Sequence, residues 1–530
     1  MVQFYLFFQL LVRYIIFYYR ELFSSNLITS FFILTVISFS GYSQSYPPKR
    51  EFRGVWVATV ANIDWPSSSS LTTLEQQQEF ADLVTFHKAN GMNALIVQVR
   101  PSADALYQSK YEPWSRWLTG VEGRAPNPIY DPLEFMIKEC RRQQMEFHAW
   151  VNPFRAIFNY QQGDISDQHI FFDYPEWVVP YGKHTYLDPG LPEVRQYVLN
   201  VVMDIVNRYD IDGLHFDDYF YPYRIDSLSF LDNVSFTRFG AEFDTIADWR
   251  RDNVNQFIQS VHDSIEAVKP NIRFGISPFG VWRNADADPL GSDSQAQQTS
   301  YDDLYADVIT WLKNGWIDYV APQLYFGIGF ELADYQKLLD WWVKNTYGRQ
   351  LYIGHAAYKI GRPEDSLWND PYQIIDQVSL NRKSFQVDGS IFFSARSFRD
   401  NPLGINDRLQ SGSFKYPALI PSMPWHQEDI PSPPQNIIIA RNKSEVLMQW
   451  QPNIHQKSNC YYVVYGAEGS EPPNISDPTT MISKSYYPQL TFKEGERNGI
   501  FRKKHTFVIT SVNRNHDESV MSSAVQIRLF

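Results

Sequence analysis

The sequence predicts an α/β protein, a (β/α)₈ TIM barrel followed by a small all-β sandwich, and three observations support this prediction. From residue 51 onward, short apolar strands alternate with helical stretches, as they do in parallel α/β sheets. The alternation gives eight β/α units over about 350 residues, which suits a barrel with long loops. After about residue 435 the helical period disappears and short strand-like runs replace it.

The eight strand candidates are short, and most of their side chains are apolar. They span residues 52–60, 94–100, 146–153, 212–219, 273–280, 319–325, 351–358 and 389–396. The alternative fold is an open doubly wound sheet, but no glycine-rich phosphate turn follows the first candidate strand. The barrel is therefore expected over residues 50–415.

Helix signals lie between these strands. Thr72 and Glu75 form a capping-box pattern ahead of an apolar run. Pro192 begins a second helix, and the apolar period of residues 254–268 indicates a third, which ends before Pro270.

A change of composition marks the end of the barrel. Six prolines fall in residues 416–434, which predicts a linker. The following 435–530 segment contains strand-like runs at 436–440, 445–450, 461–465, 505–511 and 524–529, a spacing typical of a β-sandwich.

The first 44 residues predict export. An apolar run at 27–40 follows Arg20 and precedes small and polar residues, as in a secretory signal peptide cleaved near Gln44. An earlier apolar run at 4–19 leaves a retained membrane anchor as the alternative. Both readings place the protein in the periplasm or cell envelope.

Composition narrows the classes of partner. The net charge is −12 and no dense basic patch appears, so a nucleic-acid partner is not expected. Cys140 and Cys460 fall in different predicted domains, so we expect neither a mutual disulfide nor a thiol metal site, and no cofactor is indicated. An aromatic content of 16% provides both core material and flat surfaces for sugar rings.

The fourth strand candidate carries the strongest chemical signal. Side chains alternate along a strand, so Leu214 and Phe216 should face the helices, and His215, Asp217 and Tyr219 should face the barrel axis. An inward acid is costly unless it is satisfied or used, and we therefore predict that Asp217 is catalytic. The alternative is a buried structural acid held by Arg100 or Tyr325.

The second carboxylate of a glycosidase is less clear. Asp218 follows Asp217 with the opposite parity, and Glu112 lies in the loop after the second strand. Asp64 and Asp104 are further candidates. The seventh strand ends in Tyr358 and Lys359, so the common pairing of acids after strands four and seven is absent.

Other polar and aromatic residues at strand ends are candidates for substrate binding. We expect Gln323, His215 and Arg100 to orient the catalytic acid and bind sugar hydroxyls, and some tryptophans to stack on sugar rings. A metal site built from His148, His215 and Asp217, with His355 as a fourth ligand, is the weaker interpretation because no metal-ligand spacing supports it. The full set of candidate binding residues is Asp64, Arg100, Trp114, His148, Asn152, His215, Tyr219, Trp282, Gln323 and Tyr325.

A series of motifs resembles one known family. The motifs are residues 51–59 (EFRGVWVAT), 98–101 (QVRP), 112–115 (EPWS), 148–153 (HAWVNP), 210–222 (DIDGLHFDDYFYP), 275–280 (GISPFG) and 321–325 (APQLY). In order and at matching strands, they are similar to the bacterial glycosyl-hydrolase-like family ten.

This resemblance implies a TIM-barrel glycosidase exported to the envelope. One relative acts at the division site on peptidoglycan glycan strands stripped of their peptides, which makes such strands the expected substrate. The matched residues carried over as catalytic candidates are Asp217, Asp218 and Glu112. The C-terminal segment resembles a fibronectin type III domain through residues 446–450, 462–465 and 507–513.

Three functions remain open from the sequence. The first is a glycoside hydrolase acting on a polysaccharide or glycan strand, with possible association with the envelope or division site. The second is a glycan-binding protein without turnover, and the third is a metal-dependent hydrolase.

Overall fold

The structure is a computed structural model that describes residues 47–161, 163, 165–426, 429–442, 445–452, 461–493 and 503–529. The predicted export segment and Cys460 lie outside these residues. Within them, no helix has both the length and the apolar character needed to span a membrane.

Eight parallel strands close into a barrel, as predicted. They are β1 (Phe52–Val57), β2 (Ala94–Arg100), β3 (Glu146–Val151), β7 (Gly213–Phe216), β8 (Arg273–Ile276), β9 (Tyr319–Val320), β10 (Gln350–His355) and β11 (Val387–Phe392). Around the barrel each strand pairs with the next in this order, and β11 closes the sheet against β1. Most strands end earlier than the sequence predicted, because the chain turns away from the sheet to form the loops at the C-terminal mouth.

Helices connect the strands and form the outer layer. They are α1 (Thr73–Ala89), α2 (Arg116–Thr119), α3 (Pro132–Arg142), α4 (Ile170–Asp173), α5 (Pro192–Arg208), α6 (Asn233–Phe239), α7 (Ile246–Val268), α8 (Val308–Asn314), α9 (Tyr335–Lys344), α10 (Gln373–Asn381), α11 (Ala395–Asp400) and α12 (Ile405–Ser411). Thr72 and Glu75 form the expected capping box on α1, and Pro192 is the first residue of α5. Both helix starts were therefore readable from local sequence.

A three-stranded sheet between β3 and α5 was not predicted. Its strands are β4 (Arg155–Ile157), β5 (Val178–Tyr181) and β6 (His184–Leu187), and β6 pairs antiparallel with both others. Strands this short carry little periodic signal, because three or four residues do not establish an alternation. The sheet follows the C-terminal end of β3 and brings Arg155 to the mouth of the barrel.

Aromatic rings fill the lower part of the barrel. Phe52 stacks on Tyr352 with ring centroids 4.2 Å apart, and Tyr319 packs beside Tyr352 at 4.8 Å. Ile420, from the segment predicted to be a linker, is buried against this cluster. Arg273 donates a hydrogen bond of 2.6 Å to the carbonyl oxygen of Pro421. The segment that leaves the barrel therefore packs against the barrel base.

The C-terminal segment forms two antiparallel sheets that share one apolar core, in agreement with the predicted β-sandwich. One sheet has the order β12 (Gln435–Asn442), β13 (Glu445–Gln451) and β16 (Gln489–Lys493). The other has the order β15 (Met481–Ser485), β14 (Tyr461–Glu468), β17 (Lys503–Val512) and β18 (Val525–Leu529). The sandwich contacts the barrel base through His516, whose Nε2 lies 2.6 Å from Oε1 of Glu146.

Candidate active site

A cleft of about 260 Å³ opens at the C-terminal mouth of the barrel. All eight barrel strands, or the loops that follow them, contribute to its lining, so it occupies the usual position of a TIM-barrel active site. The lining residues are Trp56, Ala58, Val60, Ile63, Gln98, Trp150, Arg155, Asp217, Asp218, Tyr219, Tyr223, Ser277, Gln323, Tyr325, Tyr358 and Phe393.

Asp217 follows the last residue of β7 and is half-buried in this cleft. Its Oδ2 accepts a hydrogen bond from Nδ2 of Asn152 at 3.1 Å. Its Oδ1 accepts from Nε2 of Gln323 at 3.2 Å and from the backbone N–H of Asp218 at 3.0 Å. The three donors are all N–H groups, which are the partners that a carboxylate accepts from.

The two amides that hold Asp217 are themselves fixed. Gln98 donates from Nε2 to Oδ1 of Asn152 at 2.5 Å, which leaves the Asn152 amide N–H₂ directed at Asp217. Oε1 of Gln98 in turn accepts the backbone N–H of Val60 at 2.9 Å. Gln323 donates from the same Nε2 to the carbonyl oxygen of Ser277 at 3.0 Å. The orientation of the Asp217 carboxylate is therefore set before any substrate binds.

Asp218 lies in the same cleft but is 2% exposed. Burial, and next the negative charge of Asp217, raise the pKa of Asp218 well above its ordinary value, and a hydrogen bond between the two carboxyl groups acts in the same direction. The Tyr223 hydroxyl donates to Oδ2 of Asp218 and offsets part of this rise. The pair thus places a carboxyl group held by N–H donors beside a buried carboxyl group whose pKa is raised.

The strand alternation does not extend to Asp218. Because β7 ends at Phe216, the two acids stand on irregular backbone, and both reach the cleft despite their opposite parity. Tyr219, Gln323 and Tyr325, three of the predicted binding residues, also line the cleft. Asn152 reaches the site through its hydrogen bond to Asp217.

Two predicted binding histidines lie below the cleft instead of in it. His215 contacts Oγ of Ser277 at 2.9 Å and accepts from Nε1 of Trp56 at 3.1 Å. Nδ1 of His215 and Nδ1 of His148 each lie 3.0 Å from the hydroxyl of Tyr319. Burial lowers the pKa of both imidazoles, which favours their neutral forms. That these histidines bind substrate stays a prediction; the structure places them against residues that form the floor of the cleft.

Arg100 and Glu112 also lie outside the cleft. A β-bulge between Gln98 and Arg100 shifts the pairing of β2 with β3, so Arg100 pairs with the outward-facing Val151. Its guanidinium forms a buried ion pair with Glu112, with 2.5 Å between Nη2 and Oε1. Arg100 also donates to the carbonyl oxygen of Pro153 at 3.1 Å. Neither side chain lines the cleft, and Glu112 is a structural partner of Arg100 in this fold.

Asp64 and two predicted tryptophans lie elsewhere. Asp64 is buried, where it accepts the backbone N–H of Ala58 at 2.8 Å and the Ser394 hydroxyl at 2.7 Å, so it joins the loops after β1 and β11. Trp282 packs beside Trp341 with centroids 5.8 Å apart. Trp114 packs against the outer core. None of the three lines the cleft, because their loops fold onto the helical layer.

The predicted metal ligands are not brought together. No group of three or more His, Cys, Asp or Glu side chains in the described part of the chain is arranged to hold a metal ion. Both nitrogens of His215 have protein partners. His355 lies on the outer side of the barrel wall, where its Nδ1 is 2.8 Å from Oε1 of Gln377 on α10. The geometry therefore gives the metal-dependent alternative no ligand set.

Sequence reasoning missed several residues of the cleft. Trp56 and Gln98 have the inward parity of β1 and β2, and the alternation rule could have identified both. Trp150 stands in the 148–153 motif, where nothing in the local sequence separates it from other tryptophans near strand ends. Arg155 and Tyr223 follow strand ends in long loops, where no local pattern indicates which residue turns back to the mouth.

Comparisons with known proteins agree with this architecture. The family model described as Glycosyl hydrolase-like 10 matches residues 51–372. The chain is 43% identical over 504 residues to glycosyl hydrolase YngK of Bacillus subtilis strain 168, and the match covers 94% of this chain and 96% of that protein. It is 39% identical over 365 residues to glycosyl hydrolase DigH of Escherichia coli K12, covering 64% of this chain and 82% of that protein.

A solved structure of low similarity is the glycoside hydrolase domain of PgaB (BpsB) from Bordetella bronchiseptica. Its TM-score is 0.44 at 11% identity, covering 68% of this chain and 98% of that one. This likeness adds no weight to the assignment, which depends on the family model and the two relatives. The chain belongs to the glycosyl hydrolase-like 10 family.

Proposed function

We propose that this protein is an exported glycoside hydrolase that cleaves glycan strands of the bacterial cell envelope, specifically peptidoglycan strands stripped of their peptides. The observation that carries the proposal is the pair formed by Asp217 and Asp218 in an open cleft. One carboxylate is held by N–H donors and its neighbour is a buried acid. A general acid and a carboxylate are the groups that glycosidic bond hydrolysis requires.

The lining of the cleft supports a sugar substrate. Trp56, Trp150, Tyr325, Tyr358 and Phe393 give it aromatic walls, which suit the apolar faces of sugar rings. Trp150 lines the cleft, and its indole N–H is buried without a hydrogen-bond partner among the described residues.

Arg155 supports a substrate with a negative charge. Among the described residues that line the cleft it is the sole Lys or Arg side chain. Its Nε donates to the carbonyl oxygen of Pro101 at 2.8 Å, and its guanidinium lies over the ring of Tyr219 at 5.1 Å. No carboxylate within salt-bridge distance neutralises it in the described structure. Removal of the peptides from peptidoglycan leaves a free lactyl carboxylate, which is a suitable partner for this cation.

The proposed location depends on the N-terminal sequence. Residues 1–44 carry the pattern of a signal peptide or anchor, and a substrate in the envelope requires export. Fractionation of cells that express the full chain tests this part of the proposal. Recovery of the protein in the cytoplasm alone would contradict it.

The hydrolase proposal is tested with purified protein and peptide-free glycan strands. We expect the wild type to release reducing ends, and Asp217→Asn to lose turnover by about 10²-fold or more, because the isosteric amide cannot carry the charge. Asp376→Asn, an exposed change on α10, is the matched control and should retain full activity. Undiminished turnover by a folded Asp217→Asn would remove Asp217 from the mechanism.

A glycan-binding protein without turnover is the second candidate. It is favoured by the lack of a carboxylate facing Asp217 from the far side of the cleft, among the described lining residues. A binding titration combined with mass spectrometry of the strands separates the two functions. Saturable binding without new reducing ends would favour this candidate over hydrolysis.

A further inference from the structure

The two acids of the cleft are too close together for either usual glycosidase mechanism. Double displacement needs carboxyl groups about 5–5.5 Å apart, and direct inversion by water needs about 6.5–9.5 Å. Asp217 and Asp218 are neighbours in sequence, and the backbone N–H of Asp218 donates to Oδ1 of Asp217 at 3.0 Å. No other Asp or Glu lines the cleft within the described chain. The described lining therefore offers one pair of adjacent acids and no separate second carboxylate.

A nucleophile carried by the substrate would complete such a site. In substrate-assisted hydrolysis, the carbonyl oxygen of a 2-acetamido group attacks the anomeric carbon of its own sugar. The enzyme then needs one acid for the leaving oxygen and one carboxylate for the acetamido N–H. The leaving oxygen is attached to C1 and the acetamido nitrogen to the neighbouring C2, so two adjacent acids can serve both atoms.

We infer that the protein acts by substrate assistance on N-acetylated sugars, with Asp218 as general acid and Asp217 as the carboxylate that holds the acetamido N–H. This inference rests on the proposed hydrolase function and requires that the cleaved residue of the substrate carries a 2-acetamido group.

The step balances without any added reagent except water. The acetamido oxygen forms a bond to C1 as the C1–O glycosidic bond breaks, and the leaving oxygen takes the proton of Asp218. The resulting oxazolinium ion is stabilised by Asp217. Water then adds to C1, its proton passes to Asp218, and the acetamido group is restored. Two displacements at C1 give a product with retained anomeric configuration.

The hydrogen bonds around Asp217 fit this role. Oδ1 accepts two N–H donors, whereas Oδ2 accepts one, from Asn152 at 3.1 Å. A carboxylate offers about four acceptor positions, so Oδ2 retains capacity for an acetamido N–H. The amides of Asn152 and Gln323 keep the carboxylate oriented as the positive charge develops on the substrate.

The walls beside the acids fit the acetamido methyl group. Phe393 packs against Trp56 and against Tyr325, with ring centroids 6.4 Å apart in both pairs. Tyr325 also meets Tyr358 edge to face at 6.0 Å. These rings give the cleft an apolar wall of aromatic edges and faces, and a methyl group packs well against such a surface.

The test compares one glycan in three chemical forms. Peptide-free strands are N-deacetylated and then either left as free amines, re-acetylated, or N-trifluoroacetylated. We expect the wild-type full chain to cleave the re-acetylated strands at the original rate. Turnover of the other two forms should fall by about 10²-fold or more, because a free amine has no carbonyl nucleophile and fluorine weakens the one that remains.

The outcomes separate this inference from the proposed function. Equal cleavage of all three forms, or a product of inverted configuration by NMR, would overturn substrate assistance and leave a glycosidase. Failure to cleave even the original strands would instead overturn the hydrolase proposal.

An inhibitor gives an independent readout. The thiazoline analogue of N-acetylglucosamine mimics the cyclised intermediate, so it should compete with the strands in the wild type and bind at least about tenfold more weakly to Asp217→Asn. Competition with equal strength in both proteins would contradict the assigned role of Asp217. The control Asp376→Asn should bind the analogue as the wild type does.

Discussion

Asn152 donates a hydrogen bond from Nδ2 to Oδ2 of Asp217 over 3.1 Å, and its own Oδ1 is held by Gln98. The amide cannot rotate without breaking both bonds, so the contact defines where the Asp217 carboxylate points. The two residues are far apart in sequence and meet only because β3 and β7 are neighbours in the barrel.

Asn152→Asp should therefore weaken catalysis while leaving the fold intact. The change replaces a donor with a second carboxylate beside Asp217, and a lost hydrogen bond to a charged group is worth about 1.5–3 kcal/mol. We expect kcat to fall by about 10-fold to 10²-fold, measured as reducing ends released from peptide-free strands. Asn314→Asp, an exposed substitution at the end of α8, should behave as the wild type. A normal kcat in Asn152→Asp would show that this contact does not position the acid.

Glu112→Leu should destabilise the protein and leave the chemistry of the cleft intact. Glu112 is the ion-pair partner of the buried Arg100, and removal of one member of a buried pair typically costs about 3–5 kcal/mol. Denaturant unfolding should show this loss in the free energy of unfolding. The double variant Arg100→Met, Glu112→Leu should be less destabilised, because no charge remains buried alone.

The same variant distinguishes a structural from a catalytic Glu112. Its turnover per folded molecule should remain within a few-fold of the wild type. If turnover disappears while stability is unchanged, Glu112 is a catalytic acid and the structural assignment is wrong.

Tyr223→Phe should move the alkaline limb of the pH–rate profile to higher pH. The Tyr223 hydroxyl donates to Asp218 and lowers the pKa of that carboxyl, so removal of the hydroxyl raises this pKa further. Activity that requires protonated Asp218 then persists to higher pH. The measurement is kcat against pH for both proteins, with Tyr347→Phe, an exposed change, as the control. A shift to lower pH would contradict the role of Asp218 as the acid.

Asp218→Asn should abolish turnover and yet stabilise the protein at high pH. The folded-state pKa of Asp218 is raised, so the folded chain binds this proton more tightly than the unfolded chain does. The stability that comes from the protonated form is complete below the ordinary pKa and is lost as pH rises through the folded value. Asparagine cannot ionise and avoids this loss.

The melting temperature provides the check on this prediction. The advantage of Asp218→Asn over the wild type should grow as the pH rises above the ordinary pKa of an aspartate. A constant difference in melting temperature at every pH would mean that Asp218 ionises equally well in the folded and unfolded chains.

The positions of the barrel elements were readable from the sequence. Eight apolar runs lie where the structure has its barrel strands, and the capping box at Thr72 begins α1. The inward direction of His215 also followed from alternation, because successive side chains of a strand point to opposite faces. These features depend on residues close together in the chain, which is why a local pattern contains them.

The composition of the site was only partly readable. The sequence marked Asp217 and Asp218, but their partners come from other strands, as Asn152 and Gln323 show. Trp114 and Trp282 had the same local appearance as Trp150, yet only Trp150 lines the cleft. A loop residue returns to the mouth or folds onto the helices according to contacts that lie far away in the chain.

Thus the sequence by itself determined the order of the barrel strands and a catalytic candidate at the end of β7. The tertiary structure alone decided that a bulge in β2 turns Arg100 outward to Glu112, and that the early end of β7 lets Asp217 and Asp218 share one cleft. The physical reason is that alternation holds only while a strand remains regular. Bulges and strand ends arise from pairing between strands, and they change the direction of the side chains that follow.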